Sequence, residues 1–367
     1  MTDVAQRQEA ERAVPLAALF TAFLIVSLCG FSGGIVWARR IAVENRRWIS
    51  DRVFADIVSL CQFMPGPNII GIAVCIGAKV RGGVGTIAAI SGFLVIPWAG
   101  GLALGVLYLE YAHLPVLRNV LGGIAAAAAG LLIATGARLL IPYRRRPTPL
   151  VFATLAFVLI TFAQSSTSGR SIRPGAAQHC RCRHRKRESP MTDPSAPLAL
   201  TAHLALVSSI SFGGFPTVLP DVRNFVVGMH GWMTNQEFAN LFAMAQSIPG
   251  PNMILMMSLV GWKVWGFPGA VASAFATFGP PCTIYFASYR IWDRFRDTPW
   301  QQIVRLGLVP VVMGLVIASG TVMARAADTS WRAVVVTIAA AAIMLATRLN
   351  PMWILVIGGA LGGLGRL

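Results

Sequence analysis

"FMPGPNIIGIAVCIGAKVRGGVG", Phe63–Gly85, breaks an otherwise apolar stretch with two prolines, a run of glycines, an Asn, a Lys and an Arg. Val53–Met64 before the break and Ile69–Ala78 after it are apolar pieces of about 12 and 10 residues. At ~1.5 Å of rise per residue, neither crosses a bilayer alone. Pro65 and Pro67 remove amide donors and clash with a continuing helix, and Gly66 permits unusual dihedrals. The chain is therefore expected to stop here and begin a new helix at or near Asn68. A helix start at membrane depth exposes unpaired N–H groups and the positive end of its dipole, which together attract oxyanions. Broken backbone at that depth is tolerated only where it is buried or lines an aqueous cavity. The plainer alternative is a Pro-kinked span with Asn68 as a cap.

The phrase is written twice. "SIPGPNMILMMSLVGWKVWGFPG", Ser247–Gly269, returns Pro249, Gly250, Pro251 and Asn252, and a shift of 184 residues aligns the chain on itself from about Ser27 to Gly136. Each copy has a Gln six residues before its Asn (Gln62, Gln246) and a Lys eleven after it (Lys79, Lys263). Arg39 falls on Arg223, Pro97 on Pro281, and "GLLIATG" (130–136) on "GLVIASG" (314–320). Internal repeats of this kind mark many secondary transporters, whose sites lie between the repeats near the midplane.

Composition sets the class. Of 367 residues 55% are hydrophobic and only 12% charged, where a soluble domain carries about a quarter; mean hydropathy is +0.65. The clearest apolar runs of spanning length are Val14–Trp37, Val84–Leu109, Pro115–Ile141, Leu198–Leu219, Phe267–Tyr289 and Ile303–Ala324. This is expected to be an all-α polytopic membrane protein of two homologous repeats, each with a broken helix. The first run is too long for a signal h-region and follows residues of both charge signs, which suits a retained first span. A bacterial-type inner membrane is the natural location. The net charge of +17 fits cytoplasmic loops and anionic headgroups better than nucleic acid, which is not an expected partner. Cys29, Cys61, Cys75 and Cys282 lie in or beside apolar segments as ordinary small thiols.

The halves divide as 1–164 and 198–367, joined by the polar stretch 165–197, which carries seven Lys/Arg against two acids. Second-half residues 351–367 are apolar but fall opposite this stretch, so the first half lacks a matching last span. The loop after the first run holds Arg39, Arg40, Arg46, Arg47 and Arg52, whereas its partner holds only Arg223. Opposite orientation of the repeats explains that imbalance, and placing the first loop, Arg144–Arg146 and the linker all inside works if residues 53–80 are re-entrant and Leu150–Ala163 does not fully cross. "HCRCRH" (179–184) lacks the spacing of a structural zinc site. No catalytic constellation or phosphate loop is visible, so neither an enzyme nor a cofactor is expected, and scarce buried carboxylates leave coupling unread.

Candidate ligand groups are Asn68, Asn252, Gln62 and Gln246 with the backbone of Gly66 and Gly250. The chain has three Lys against 28 Arg, yet two of the three sit at matched positions. Lys79 and Lys263 either snorkel as helix-end cations or flank an anion path. Arg39 and Arg223 are flanking charges or further cations. Gly30–Gly34 and Phe212–Pro216, including Gly213 and Gly214, are close-packing breaks or further ligand-facing amides.

These residues strongly resemble the two halves of the chromate ion transporter family, over roughly 15–145 and 198–325. The paired Pro-Gly-Pro-Asn and Phe-Gly-Gly-type motifs carry the resemblance. It implies a membrane protein of two homologous halves that exports chromate and confers resistance, with sulfate as the usual competitor. Carried over, the motif residues are Phe212–Gly214, Pro65–Asn68, Pro249–Asn252, Lys79 and Lys263. Two departures stand out: "GFSGG" (Gly30–Gly34) in place of a Phe-Gly-Gly-Pro-like run, and the polar residues 165–197 where the family continues apolar. The expected partners are the oxyanion and the bilayer, with a homodimer left open. An inward sulfate or other oxyanion permease is the alternative in the same class; a membrane-embedded chromate reductase or a non-transporting sensor would be different classes.

Overall fold

The computed structural model describes residues 14–29, 34–111, 114–141, 150–159, 195–292, 300–327, 330–347 and 349–364. Their regular structure is entirely helical. The first repeat contains α1 (Leu16–Cys29), α2 (Gly34–Arg39) with a π turn (Arg40–Asn45), α3 (Asp51–Phe63), α4 (Asn68–Tyr111), α5 (Pro115–Leu140) and α6 (Leu150–Leu159). The second contains α7 (Ala196–Ser209), a 3₁₀ turn (Phe215–Val218), α8 (Leu219–Arg223) with a π turn (Asn224–Met229), α9 (Asn235–Ser247), α10 (Asn252–Trp292), α11 (Trp300–Ala327), α12 (Trp331–Ala346) and α13 (Pro351–Gly363). Asn68–Tyr111, Val116–Arg138 and Asn252–Ile291 are long and apolar enough to cross a membrane. Most of the polar linker, residues 165–194, lies outside the described residues, as does the Cys-His run within it.

The helix breaks fall at the prolines. α3 ends at Phe63 and α4 starts at Asn68; α9 ends at Ser247 and α10 starts at Asn252. A second break, which the sequence did not announce, follows each Lys. Gly82 and Gly266 take left-handed φ values of +62° and +64°, accessible to glycine without a Cβ clash. There the chain folds back on itself: a methyl group on Gly77 would lie 2.6 Å from the Gly85 carbonyl oxygen, and one on Gly261 2.2 Å from that of Gly269. α4 is thus a short arm, 68–80, and a long arm, 82–111; α10 divides likewise into 252–264 and 266–292.

The short arms run back along the preceding helices. Lys263 Nζ, near the end of the α10 short arm, donates to Glu237 Oε1 in the first turn of α9. That contact requires α9 and the short arm to be antiparallel, so together they form a re-entrant hairpin with Pro-Gly-Pro-Asn at its tip.

Contacts between the repeats fix their relative direction. Along the long arm of α4, Pro97 meets Gly250 at the opposite tip, Gly101 meets Leu255, and Gly105 meets Leu259 and Met244. Leaving the base of its own hairpin, the arm therefore advances from the tip of the other hairpin toward its base. The long arm of α10 does the same in reverse, with Pro281 against Gly66, Tyr285 against Gly71 and Phe286 near Gly83. The hairpin bases open on opposite faces, and the repeats are inverted. Big and small residues exchange places across the axis: Tyr285 fills against Gly71, whereas in the mirror pair Leu255 fills against Gly101.

Two expected runs are not single helices of spanning length: within Val14–Trp37 and Leu198–Leu219, α1 and α7 are 14 residues each, ~20 Å of helix, against a ~30 Å hydrocarbon core. In the second repeat the cause is Gly213 and Gly214, at φ +80° and +101°, which no continuing helix accommodates. Ser211 just before them sits at the first tip, accepting from the Gly66 N–H at 3.0 Å, and Ser27 sits beside Gly250 at the second.

α5 and α11 pack around the same axis through small residues, Gly136 on Ile317 and Gly320 on Ile133. α12 covers α5 at Gly130 as α6 covers α11 at Gly314. α13 packs on α5 through Gly358 and Gly362 and has no counterpart among the described residues of the first repeat. Cys61, Cys75 and Cys282 are buried free thiols, as expected.

Candidate functional site

Both re-entrant tips converge with the second glycine break and with the residues flanking the first, whose residues 30–33 lie outside the described residues. A cavity of about 320 Å³ is lined by Ser27 and Gly34 of the first repeat's opening elements, Pro67 and Asn68 of its tip, Gly214 and Pro216 of the second break, and Gly250 of the second tip. Phe93, Phe215, Ile69 and Met253 supply apolar walls. Among the described residues, no charged side chain lines it. A larger cavity of about 360 Å³ between α5 and α13 is apolar apart from Ser247 and offers an anion nothing.

Gly66 and Gly250 shape the tips. Their φ values are +112° and +130°, and a methyl group would meet Pro281 at 2.4 Å or Pro97 at 2.8 Å. Gly66 is held at three points: its N–H donates to Ser211 O, its carbonyl accepts from Tyr285 Oη at 3.2 Å, and its Cα rests on Pro281. Pro65 and Pro251 are buried, Pro67 and Pro249 partly so, and each tip rotates into the following helix at its Asn. At the start of α4 the Ile70 and Gly71 amides turn back to Pro67 O, leaving the earlier Asn68 and Ile69 amides at the cavity side without an intrahelical acceptor.

The two Asn side chains differ. Asn68 Oδ1 is buried without a hydrogen-bond partner. Asn252 is occupied within its own tip: Nδ2 lies 2.8 Å from Gln246 Oε1, and with the amide turned over it reaches Ile248 O at 3.1 Å and Gly250 O at 2.7 Å. The Gln62 side chain lies outside the described residues. Gly214 lines the cavity, whereas Gly213 is a packing glycine pressed on Val312.

The four candidate cations lie at the hairpin bases. Eleven residues of helix separate Lys79 from Asn68, and Lys263 from Asn252, about 16 Å. Arg39 donates to both carboxylate oxygens of Asp51 at 2.9 Å and to Glu44 Oε1 at 2.5 Å. Arg223, at the matched position, donates to the neutral Asn235, with Nε at 2.8 Å from Oδ1. Lys263 pairs with Glu237, but the residue matching Glu237 in the first repeat is Val53, and Lys79 is exposed with no ion pair to a described residue. Of the four candidate cations, Arg39 and Lys263 are paired with carboxylates, whereas Lys79 and Arg223 have no ion pair to a described residue.

Sequence reasoning passed over Ser27, Asn235 and Glu237. Their signal was available in the repeat alignment, which begins at Ser27 and sets Asp51 against Asn235 and Val53 against Glu237. Among the described residues, no group of His, Cys, Asp and Glu is arranged to hold a metal ion.

Comparison with known proteins agrees with this architecture. The chain is 23% identical to an uncharacterised transporter of Methanocaldococcus jannaschii over 94% of this chain and 93% of that one. It is 26% identical to a chromate transport protein of Cupriavidus metallidurans, covering 72% and 71% of the two chains. A chromate transport protein of Pseudomonas aeruginosa is also 26% identical, over 71% and 70%. No solved structure matches. The family model for chromate transporters matches residues 17–170 and 198–363, most of both repeats. The chain belongs to the chromate transporter family.

Proposed function

We propose that this protein is a secondary transporter that exports chromate across the bacterial inner membrane, binding the anion where the two tips meet the second glycine break. The observation that carries the reading is the cavity shared by both Pro-Gly-Pro-Asn tips, the second glycine break and Gly34, with amide donors and, among the described residues, no carboxylate on its wall. A tetrahedral dianion is held by multiple N–H and O–H donors, and an unpaired carboxylate nearby would repel it. Helix starts add the positive end of a dipole without adding a full charge that would hold the ion too tightly to release.

Chromate rather than sulfate is chosen from the family and from the names of its relatives, since the two ions are near-isosteres. Export is the direction the family resemblance implies, and orientation rests on the bases. The first base gathers Arg39, Arg40, Arg46, Arg47 and Arg52, and the second only Arg223 and Lys263, which supports a cytoplasmic first base. Lys79 and Arg223 then mark the inner and outer mouths, and domains 1–164 and 198–367 rock about the Gly66–Pro281 and Gly250–Pro97 contacts.

Chromate flux into inverted membrane vesicles, with and without a proton gradient, tests substrate and direction together. Export in the cell appears as uptake by these vesicles, and Asn68→Ala should reduce it severalfold while leaving membrane insertion intact. Vesicles that lose chromate instead, or that move sulfate alone, would replace this reading with the inward permease.

A further inference from the structure

We infer that the Ser27 hydroxyl is a ligand of the transported oxyanion, and that the donor set is one-sided, drawn from α1 and the first tip rather than equally from both repeats. This rests on the proposed binding of an oxyanion in the shared cavity.

Ser27 is 3% exposed, lines the cavity, and its Oγ has no hydrogen-bond partner. A buried hydroxyl on an apolar helix ordinarily bonds back to the carbonyl three or four residues earlier. Buried Ser258 does so to Ile254 O at 2.9 Å, as do partly buried Ser209 to Ala205 O at 2.7 Å and, on the exposed side of the same helix as Ser27, Thr21 to Ala17 O at 2.8 Å. Ser27 leaves that bond unmade. A Cβ built on Gly250 would lie 3.5 Å from the Ser27 oxygen, so the hydroxyl lies beside the second tip.

Its repeat mate behaves differently. Ser211 donates through Oγ to Ser208 O at 2.9 Å, and its carbonyl accepts from Gly66 N. The same contrast separates Asn68, with its buried unpartnered oxygen, from Asn252, which is satisfied inside its own tip. Ser27 and Asn68 both belong to the first repeat and both line the cavity. An unbonded amide can turn to present Nδ2, and a hydroxyl hydrogen rotates freely, so both can donate to one anion. Buried polar groups left unsatisfied in the empty protein have their hydrogen-bonding capacity restored by a ligand that accepts from them.

The test compares Ser27→Ala, Ser27→Thr and Ser211→Ala in the full chain, by chromate uptake into inverted vesicles and by thermal unfolding of the purified, anion-free protein. Removing a hydrogen bond to a charged ligand should raise the KM of Ser27→Ala roughly tenfold or more. Ser27→Thr, which keeps the hydroxyl, should stay within a fewfold of the parent. Without anion, Ser27→Ala should unfold no earlier than the parent, because the hydroxyl it lacks is unbonded, whereas Ser211→Ala should unfold earlier. A parental KM in Ser27→Ala, or earlier unfolding of its anion-free form, overturns the inference while parental chromate uptake keeps the proposed function standing. Parental vesicles that take up no chromate remove the proposed function, and this inference with it.

Discussion

The two hairpin bases are built from matched residues yet solve their electrostatics in opposite ways. At the first, Arg39 is held by Asp51 and Glu44 while Lys79 stands alone; at the second, Lys263 is held by Glu237 while Arg223 faces only Asn235. Two substitutions between the copies produce this, Asp51 against Asn235 and Val53 against Glu237. Among the matched cations, one at each base has no carboxylate partner among the described residues, and the first base carries Arg40, Arg46, Arg47 and Arg52 besides. The repeat is therefore symmetric in fold but not in charge, and the unpaired matched cation differs: a compact ammonium at one base, a half-buried guanidinium at the other.

The tips make the complementary contrast, and breaking them should give the largest effect. Gly66→Ala adds a Cβ 2.4 Å from Pro281 at a φ of +112°. Left-handed backbone costs about 1–2 kcal/mol for a residue with a Cβ, and overpacking about 1–3 kcal/mol more. Folded yield in detergent should fall severalfold and the unfolding temperature by several degrees. Gly250→Ala meets Pro97 at 2.8 Å and should be milder. Fluorescence-detected size exclusion ranks the two, and the reverse order would mean that the second tip, not the first, is the more tightly held.

Next in size is the charge at the second mouth. Arg223→Gln should raise the apparent KM for chromate about five- to tenfold, whereas Arg39→Gln combined with Asp51→Asn, which removes a cation and its carboxylate together, should change it less than twofold. Asn235→Asp should reproduce the Arg223 defect without removing the arginine, by making the second base resemble the first. The gap should narrow as ionic strength rises, since a Debye length of about 8 Å at physiological salt contracts further. Equal KM values for Arg223→Gln and the Arg39→Gln, Asp51→Asn double variant would show that the Arg223 guanidinium does not guide the anion.

Much of this was legible in the sequence, and what was missed has a physical reason. Pro65, Gly66, Pro67 and Asn68 announce their break because proline and glycine act locally, and the second copy turns suspicion into a repeat. Glycine alone says less. Gly82 and Gly266 resemble their helical neighbours in sequence, and only the fold-back against Gly77 and Gly261 reveals them as corners. Hydropathy likewise did not show where α1 and α7 end. Helices buried among other helices are as apolar as lipid-facing ones, so Val14–Trp37 and Leu198–Leu219 read as continuous. The candidate cations were found, but their distance from the tips depends on which way the short arms run. Ser27 escaped because an unmade hydrogen bond leaves no trace in a sequence.

A smaller effect should come from giving the first mouth the second mouth's carboxylate. Val53→Glu places an acid where Glu237 sits, one hairpin away, within reach of Lys79. Chromate KM should rise two- to threefold, less than for Arg223→Gln, because exposed Lys79 is better screened than half-buried Arg223. Val53→Gln, the neutral control, should leave KM at the parental value; an equal defect in both variants would assign the loss to packing instead of charge.

The smallest expected effect lies on the axis between the tips. Trp98 Nε1 donates to Ser258 Oγ at 2.8 Å, joining the long arm of α4 to the short arm of α10. The mirror positions are Cys282 and Val74, which cannot form that bond. One repeat interface therefore carries a polar latch and the other an apolar contact. Trp98→Phe should lower stability by about 1 kcal/mol through the lost bond, plus the packing of the missing ring. Ser258→Ala should lose the bond alone and be milder, since its hydroxyl otherwise bonds back to Ile254 O at 2.9 Å. In a double-mutant cycle the two should be less than additive by about the energy of one hydrogen bond. Full additivity in thermal unfolding would mean that Trp98 acts by bulk alone, and that the two interfaces between the repeats are equivalent in kind.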